Sequence, residues 1–187
     1  LNWLIVEDEA DIRNLVVMMC QVWGNTPMPY ESGQKAWEWL DAVENGTYTG
    51  PFPEFALMDI RMPGKRGNEI AERIRTVDKV KHIPIVLMTA FVMSEDEMER
   101  MRRDFGVDEV INKPLPDFDQ LRAILYGIIE RKKSEVTATV TDTVETAVVS
   151  DLEPETKLSN PPASPEPDKP TSTDQPDSDS KSDSEPK

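Results

Sequence analysis

The chain has one cysteine, Cys20, and one histidine, His82, in 187 residues. A lone cysteine rules out an internal disulfide framework, and one cysteine with one histidine cannot build a Cys/His zinc site. No apolar run approaches the ~20 residues that span a bilayer as a helix. No signal peptide is visible, because residues 1–6 lead straight into Glu7-Asp8-Glu9. A soluble, cytoplasmic protein without membrane contact is therefore expected. The chain opens on Leu1 rather than Met, which leaves an upstream segment open. Positive charge is also scarce, with 21 Lys and Arg against 36 Asp and Glu and a formal net charge of -15. That balance argues against non-specific nucleic-acid binding.

Aromatic residues are few and unevenly placed. All five Phe, four Trp and three Tyr precede Lys133, whereas half of the 16 prolines follow it. Residues 134–187 carry 13 acidic and four basic side chains. Such a segment buries too little apolar surface to offset its chain entropy. The expected organisation is one folded domain, residues 1–133, followed by a disordered, acidic, Pro/Ser-rich tail, residues 134–187. The Val/Thr alternation of residues 136–149 has β-propensity but no obvious partner, and is placed with the tail.

Within the first 133 residues, apolar runs alternate with helical periodicity. Trp3-Leu4-Ile5-Val6, Phe55-Ala56-Leu57-Met58 and Ile83-Pro84-Ile85-Val86-Leu87-Met88 read as buried strands. Residues 26–31 and 107–111 read as edge strands, the first because of Pro27 and Pro29, the second because Asp108-Glu109 interrupts it. Helices are expected over residues 11–23, 34–44, 67–77, 94–105 and from about Asp117. Their inward faces are Ile12, Leu15, Val16 and Met19; Ala36, Leu40 and Val43; Ile70, Ile74 and Val77; Met98, Met101 and Phe105; and Leu121, Ile124, Leu125, Ile128 and Ile129. Ser94 with Glu97 is a capping-box signature. Strands alternating with helices imply an α/β fold with a parallel, doubly wound sheet.

Asp59 closes the central run and is followed at once by the breaker Pro63-Gly64. A carboxylate at the carboxyl end of a buried strand is either a cap or turn residue, or a reactive group at the edge where such sheets bind ligands. Other polar residues fall at the same edge: Glu7-Asp8 after the first strand, Thr89 after the fourth and Lys113 after the fifth. Three converging carboxylates repel one another unless a cation neutralises them, and an oxygen-rich set suits Mg²⁺. A carboxylate can also act as a nucleophile toward phosphorus. Thr89 and Lys113 could then hold the phosphoryl oxygens. His82 reads as a solvated residue rather than a phosphodonor, and Cys20 as a partly buried, inert thiol.

These residues resemble the receiver domain of two-component response regulators. The resemblance rests on Leu4-Ile5-Val6-Glu7-Asp8, Met58-Asp59-Ile60-Arg61-Met62-Pro63, Leu87-Met88-Thr89-Ala90 and Asn112-Lys113-Pro114. It implies a flavodoxin-like sheet of five strands in the order 2-1-3-4-5 with five helices. It implies Mg²⁺-dependent transfer of phosphate to Asp59 from a histidine kinase or phosphotransfer protein, and a signal passed to a protein partner. Glu7, Asp8, Asp59 and the Arg61 backbone carbonyl would hold the metal, with Thr89 and Lys113 assisting the transfer. Such a domain catalyses its own phosphorylation and dephosphorylation without turning over an external substrate. The Lys113–Pro114 bond is expected to be cis.

Two departures stand out. Val110 occupies the position where the family usually carries an aromatic switch residue, and Pro63-Gly64-Lys65-Arg66-Gly67 is unusually basic. Without that aromatic, the signal is expected to travel through the loop from Thr89 to Ser94, with Phe91 as its movable apolar group. Two rival readings use the same fold. One is a pseudo-receiver that binds proteins without phosphorylation. The other is a phosphohydrolase, which would want a second Asp where Arg61 stands.

Overall fold

The computed structural model describes residues 1–148, with side chains described through residue 138. Five strands, β1 (Asn2–Val6), β2 (Thr26–Tyr30), β3 (Phe55–Asp59), β4 (Ile85–Thr89) and β5 (Glu109–Asn112), alternate with five helices. The helices are α1 (Ala10–Val22), α2 (Gly33–Glu44), α3 (Gly67–Thr76), α4 (Glu95–Phe105) and α5 (Phe118–Val148). All strand pairs are parallel, in the order β2-β1-β3-β4-β5. This is the flavodoxin-like arrangement expected.

The period-2 alternation of a strand divides the core in two. Leu4, Val6, Ala56, Met58, Ile85 and Leu87 face α2 and α3, meeting Ala36, Leu40, Ile70 and Ile74. Trp3, Ile5, Phe55, Leu57, Val86 and Met88 face α1 and α5, meeting Val16, Cys20, Leu121, Leu125 and Ile128. Cys20 is fully rather than partly buried, and burial pushes its thiol up to about 11. The Lys113–Pro114 peptide is cis.

Three helices differ from their sequence patterns. In α1, Leu15 is exposed, as are Met18 and Val22, so the apolar stripe is wider than the face that packs. In α4, none of Met98, Met101 and Phe105 is fully buried. Eight of its eleven residues are charged, and the sheet beside it ends in a four-residue strand that offers little apolar surface to cover. In α5, Ile124 is exposed, and the helix runs through the expected boundary at Lys133 to Val148. Composition marks that boundary, but no proline lies between Pro116 and Pro154 to stop the helix. Residues 149–187, which hold most of the expected tail, lie outside the described residues.

Asp108, read from sequence as a break in the last strand, is a junction just ahead of β5. Its Oδ2 accepts from the Ile85 N–H (2.8 Å) and from Arg75 (2.8 Å), and its Oδ1 meets Lys132 Nζ at 2.8 Å. Arg75 also donates to the carbonyls of Lys81 (2.7 Å), Ile83 (2.7 Å) and Gly106 (2.9 Å). Burial pushes the pKa of Arg75 down, against the opposing pull of Asp108.

Candidate functional site

The site lies at the carboxyl edge of the sheet, where β1, β3, β4 and β5 end. Glu7 continues β1 by one residue, its N–H donating to the Tyr30 carbonyl (3.2 Å). Arg13 on α1 holds the turn that follows, donating to the carbonyls of Glu7 (2.8 Å) and Asp8 (3.2 Å). Sequence periodicity carried no sign of that role. Asp8 is exposed, whereas Glu7 is 0 %, Asp59 6 % and Thr89 3 % exposed. These last three are the buried polar residues among those described.

Lys113 sits between two of the carboxylates. Its Nζ is 2.8 Å from Glu7 Oε2 and 2.9 Å from Asp59 Oδ1, with Glu9 Oε1 farther off at 3.9 Å. Glu7 Oε1 accepts from the Glu9 N–H (3.2 Å), and Asp59 Oδ2 from the Arg61 N–H (3.0 Å). Both Asp59 oxygens are therefore held. Burial pushes the Glu7 carboxyl up despite the opposing pull of Lys113, and Asp59 adds to the rise. Burial also opposes the Lys113 ammonium, but Glu7 and Asp59 outweigh it and its pKa is raised. The two partners of one ion pair thus both move up: Glu7, with no exposed surface, is governed by desolvation, and Lys113 by its two carboxylates.

Glu7, Asp8 and Asp59 can bring one oxygen each within 4.8 Å of one another. This hard, all-oxygen donor set, open to solvent at Asp8, fits a small divalent cation such as Mg²⁺. On β4, Thr89 follows the Met88 that pairs with Asp59, and it pairs with Asn112 of β5. Its Oγ1 accepts from the Phe91 N–H (3.1 Å). The Phe91 ring lies under the Arg61 guanidinium, with Cζ 3.6 Å from the ring centroid. Val110 is half-buried against the core.

The basic loop behind Asp59 is fixed by close approach. A Cβ on Gly67 would collide with the Asp59 carbonyl, and one on Gly33 with the Lys65 carbonyl. Trp37 packs between Lys65 (4.2 Å) and Arg73 (4.4 Å). The basicity noted in the sequence thus serves in part to hold this loop on α2.

The family model of the response regulator receiver domain matches residues 3–126. The chain belongs to this family. As a receiver it is 30 % identical over 136 residues to the phosphate regulon transcriptional regulatory protein PhoB of Escherichia coli, covering 71 % of this chain and 55 % of that protein. It is 40 % identical over 63 residues to the polar-differentiation response regulator DivK of Brucella anthropi, covering 34 % of this chain and 50 % of that one. The receiver thus spans about half the length of the curated relatives it matches.

Its fold is shared with the chemotaxis protein CheY4 of Vibrio cholerae (TM-score 0.57, 21 % identity, 68 % of this chain and 97 % of that one). It is shared too with the receiver domain of a Pseudomonas aeruginosa sensor histidine kinase, solved with a magnesium ion coordinated in its active site cleft (TM-score 0.56, 23 % identity, 69 % and 97 %). No helix among the described residues is long and apolar enough to cross a membrane.

Proposed function

We propose that the receiver accepts a phosphoryl group on Asp59 from a phosphohistidine of a histidine kinase or phosphotransfer protein and passes the signal to a protein partner. The observation that carries this reading is the Asp59 carboxylate, buried at a strand end, gripped by Lys113 and the Arg61 N–H, and facing two further carboxylates. Glu7, Asp8, Asp59 and the Arg61 backbone carbonyl would hold Mg²⁺. When bound, the metal supplies positive charge for the phosphoryl oxygens.

An Asp59 oxygen attacks phosphorus. The new O–P bond forms as the P–N bond of the donor breaks, and the electron pair stays on the donor imidazole, which takes up a proton. Lys113 then moves from carboxylate to phosphoryl oxygen, and the Thr89 hydroxyl turns from its Phe91 contact to donate to another. The acidic balance of the chain fits a cytoplasmic protein that works through protein partners rather than by direct nucleic-acid contact.

Incubation with acetyl phosphate followed by mass spectrometry tests the assignment. Wild type labels in Mg²⁺, and neither an EDTA-treated sample nor Asp59→Asn does. Labelling of the Asn variant would move the acceptor elsewhere. Absence of labelling in wild type would leave the fold as a protein-binding module.

A further inference from the structure

At the opposite edge of the sheet, where β3 and β4 begin, lies an open surface cleft of about 460 Å³. That is the size of a small-ligand pocket. A strand of five residues separates it from the phosphorylation edge, since its lining residues Glu54 and Pro84 immediately precede β3 and β4. The floor is apolar: Val80 and Ile83 are buried core residues, and Pro84 closes it. The far wall is α5 beyond the span matched by the family, where Val136 remains exposed.

Four cationic or titratable nitrogen groups ring this floor: Lys79, His82, Lys132 and Lys133. Lys132 is committed to Asp108 and Lys133 to Glu130 (3.2 Å). Lys79 makes no ion pair among the described residues, and its Nζ rests 5.2 Å from the Phe52 ring centroid. His82 is exposed, with Asp78 its charged neighbour. The one carboxylate of the lining, Glu54, is held by the Asn2 N–H (2.9 Å). Lys132 and Lys133 are thus neutralised by carboxylates, Lys132 by Glu135 (3.7 Å) as well, and Lys79 is the lining cation left without an ion pair among the described residues, beside an apolar floor.

We infer that this pocket binds a small organic anion with an apolar body. The anionic group lies between Lys79 and His82, and the body lies on Val80, Ile83 and Val136. Charge complementarity selects the anion, and the floor selects against fully hydrated ions such as inorganic phosphate. The overall negative charge works against polyanions such as nucleic acid or an anionic membrane, which leaves a compact monoanion as the occupant.

The probe is 1-anilinonaphthalene-8-sulfonate, an aromatic body with one sulfonate, titrated into the full chain by fluorescence and by amide shifts. The expected result is one saturable site with shifts confined to residues 79–84 and 132–137. Lys79→Glu weakens binding about tenfold by replacing an attraction with a repulsion, while thermal unfolding and Asp59 labelling stay unchanged. Uncharged N-phenyl-1-naphthylamine binds more weakly than the sulfonate. Shifts centred instead on Leu15, Met18 and Val22 or on the Phe91 loop would overturn the assignment. So would an unaltered affinity in Lys79→Glu, or equal binding of the uncharged analogue.

Discussion

At the scale of single residues, Lys113 has the largest predicted effect on stability. Replacing it with Met leaves Glu7 and Asp59 buried without their cation. Removing one partner of a buried pair costs about 3 kcal/mol. We expect Lys113→Met to lose about that much in urea unfolding with EDTA near neutral pH. The pH dependence follows from the shifts. The pKa of Lys113 is raised on folding, so its contribution is complete below the unfolded value, about 10.4, and fades as pH rises through the folded value. Glu7 is also raised, so its own contribution is present below the unfolded value, about 4.3, and is lost as pH rises through the folded one. The gap between variant and wild type therefore narrows on acidification, as Glu7 protonates and the pair dissolves. A gap unchanged at acidic pH would show that Lys113 acts by packing alone.

At the scale of elements, the loop from β4 to α4 connects the site to a surface. Thr89 holds the Phe91 N–H through its hydroxyl, and the Phe91 ring carries the Arg61 guanidinium. Any turn of Thr89 toward a phosphoryl oxygen releases the first contact and loosens the second. Beryllofluoride with Mg²⁺ should therefore shift amides across residues 90–105. Phe91→Ala should reduce those shifts while costing only about 1 kcal/mol of stability, the scale of an exposed cation–π contact. Shifts confined to Asp8, Asp59 and Lys113 would remove the loop from the signal path.

This contact also marks the limit of what the sequence disclosed. The strands β1, β3 and β4 were legible because uninterrupted apolar runs of that length have few alternatives, and with them came the edge where Glu7, Asp8, Asp59, Thr89 and Lys113 meet. A side chain reaching across 30 positions, from Arg61 to Phe91, leaves no periodic trace. Nor does Asp108, whose junction with Arg75 and Lys132 looks in sequence like a misplaced charge in a strand.

At the scale of the whole molecule, the two edges of the sheet can be separated by one truncation. Every buried residue of α5 among those described, Leu121, Leu125, Ile128 and Ile129, precedes Lys133, and so does Lys132 with its tie to Asp108. A chain stopped at Lys133 should keep its fold and its rate of Asp59 labelling. The same chain lacks Val136, and so should lose affinity for the organic anion at the other edge. A marked loss of labelling on truncation would place later residues within the phosphorylation site.

The prolines of β2 have a consequence for how copies of this protein meet. The Thr26 N–H donates inward to the Leu1 carbonyl (2.8 Å), so Pro27 and Pro29, at alternating positions, stand where the donors would point outward. That open flank therefore lacks donors at both positions, and a strand from another molecule finds little there to template on. Replacing both prolines with Ala should restore the donors and shorten the lag before thioflavin-positive fibrils form in concentrated samples under mild denaturation. An unchanged lag in that variant would show that the missing donors of this outer row do not limit edge-to-edge pairing between copies.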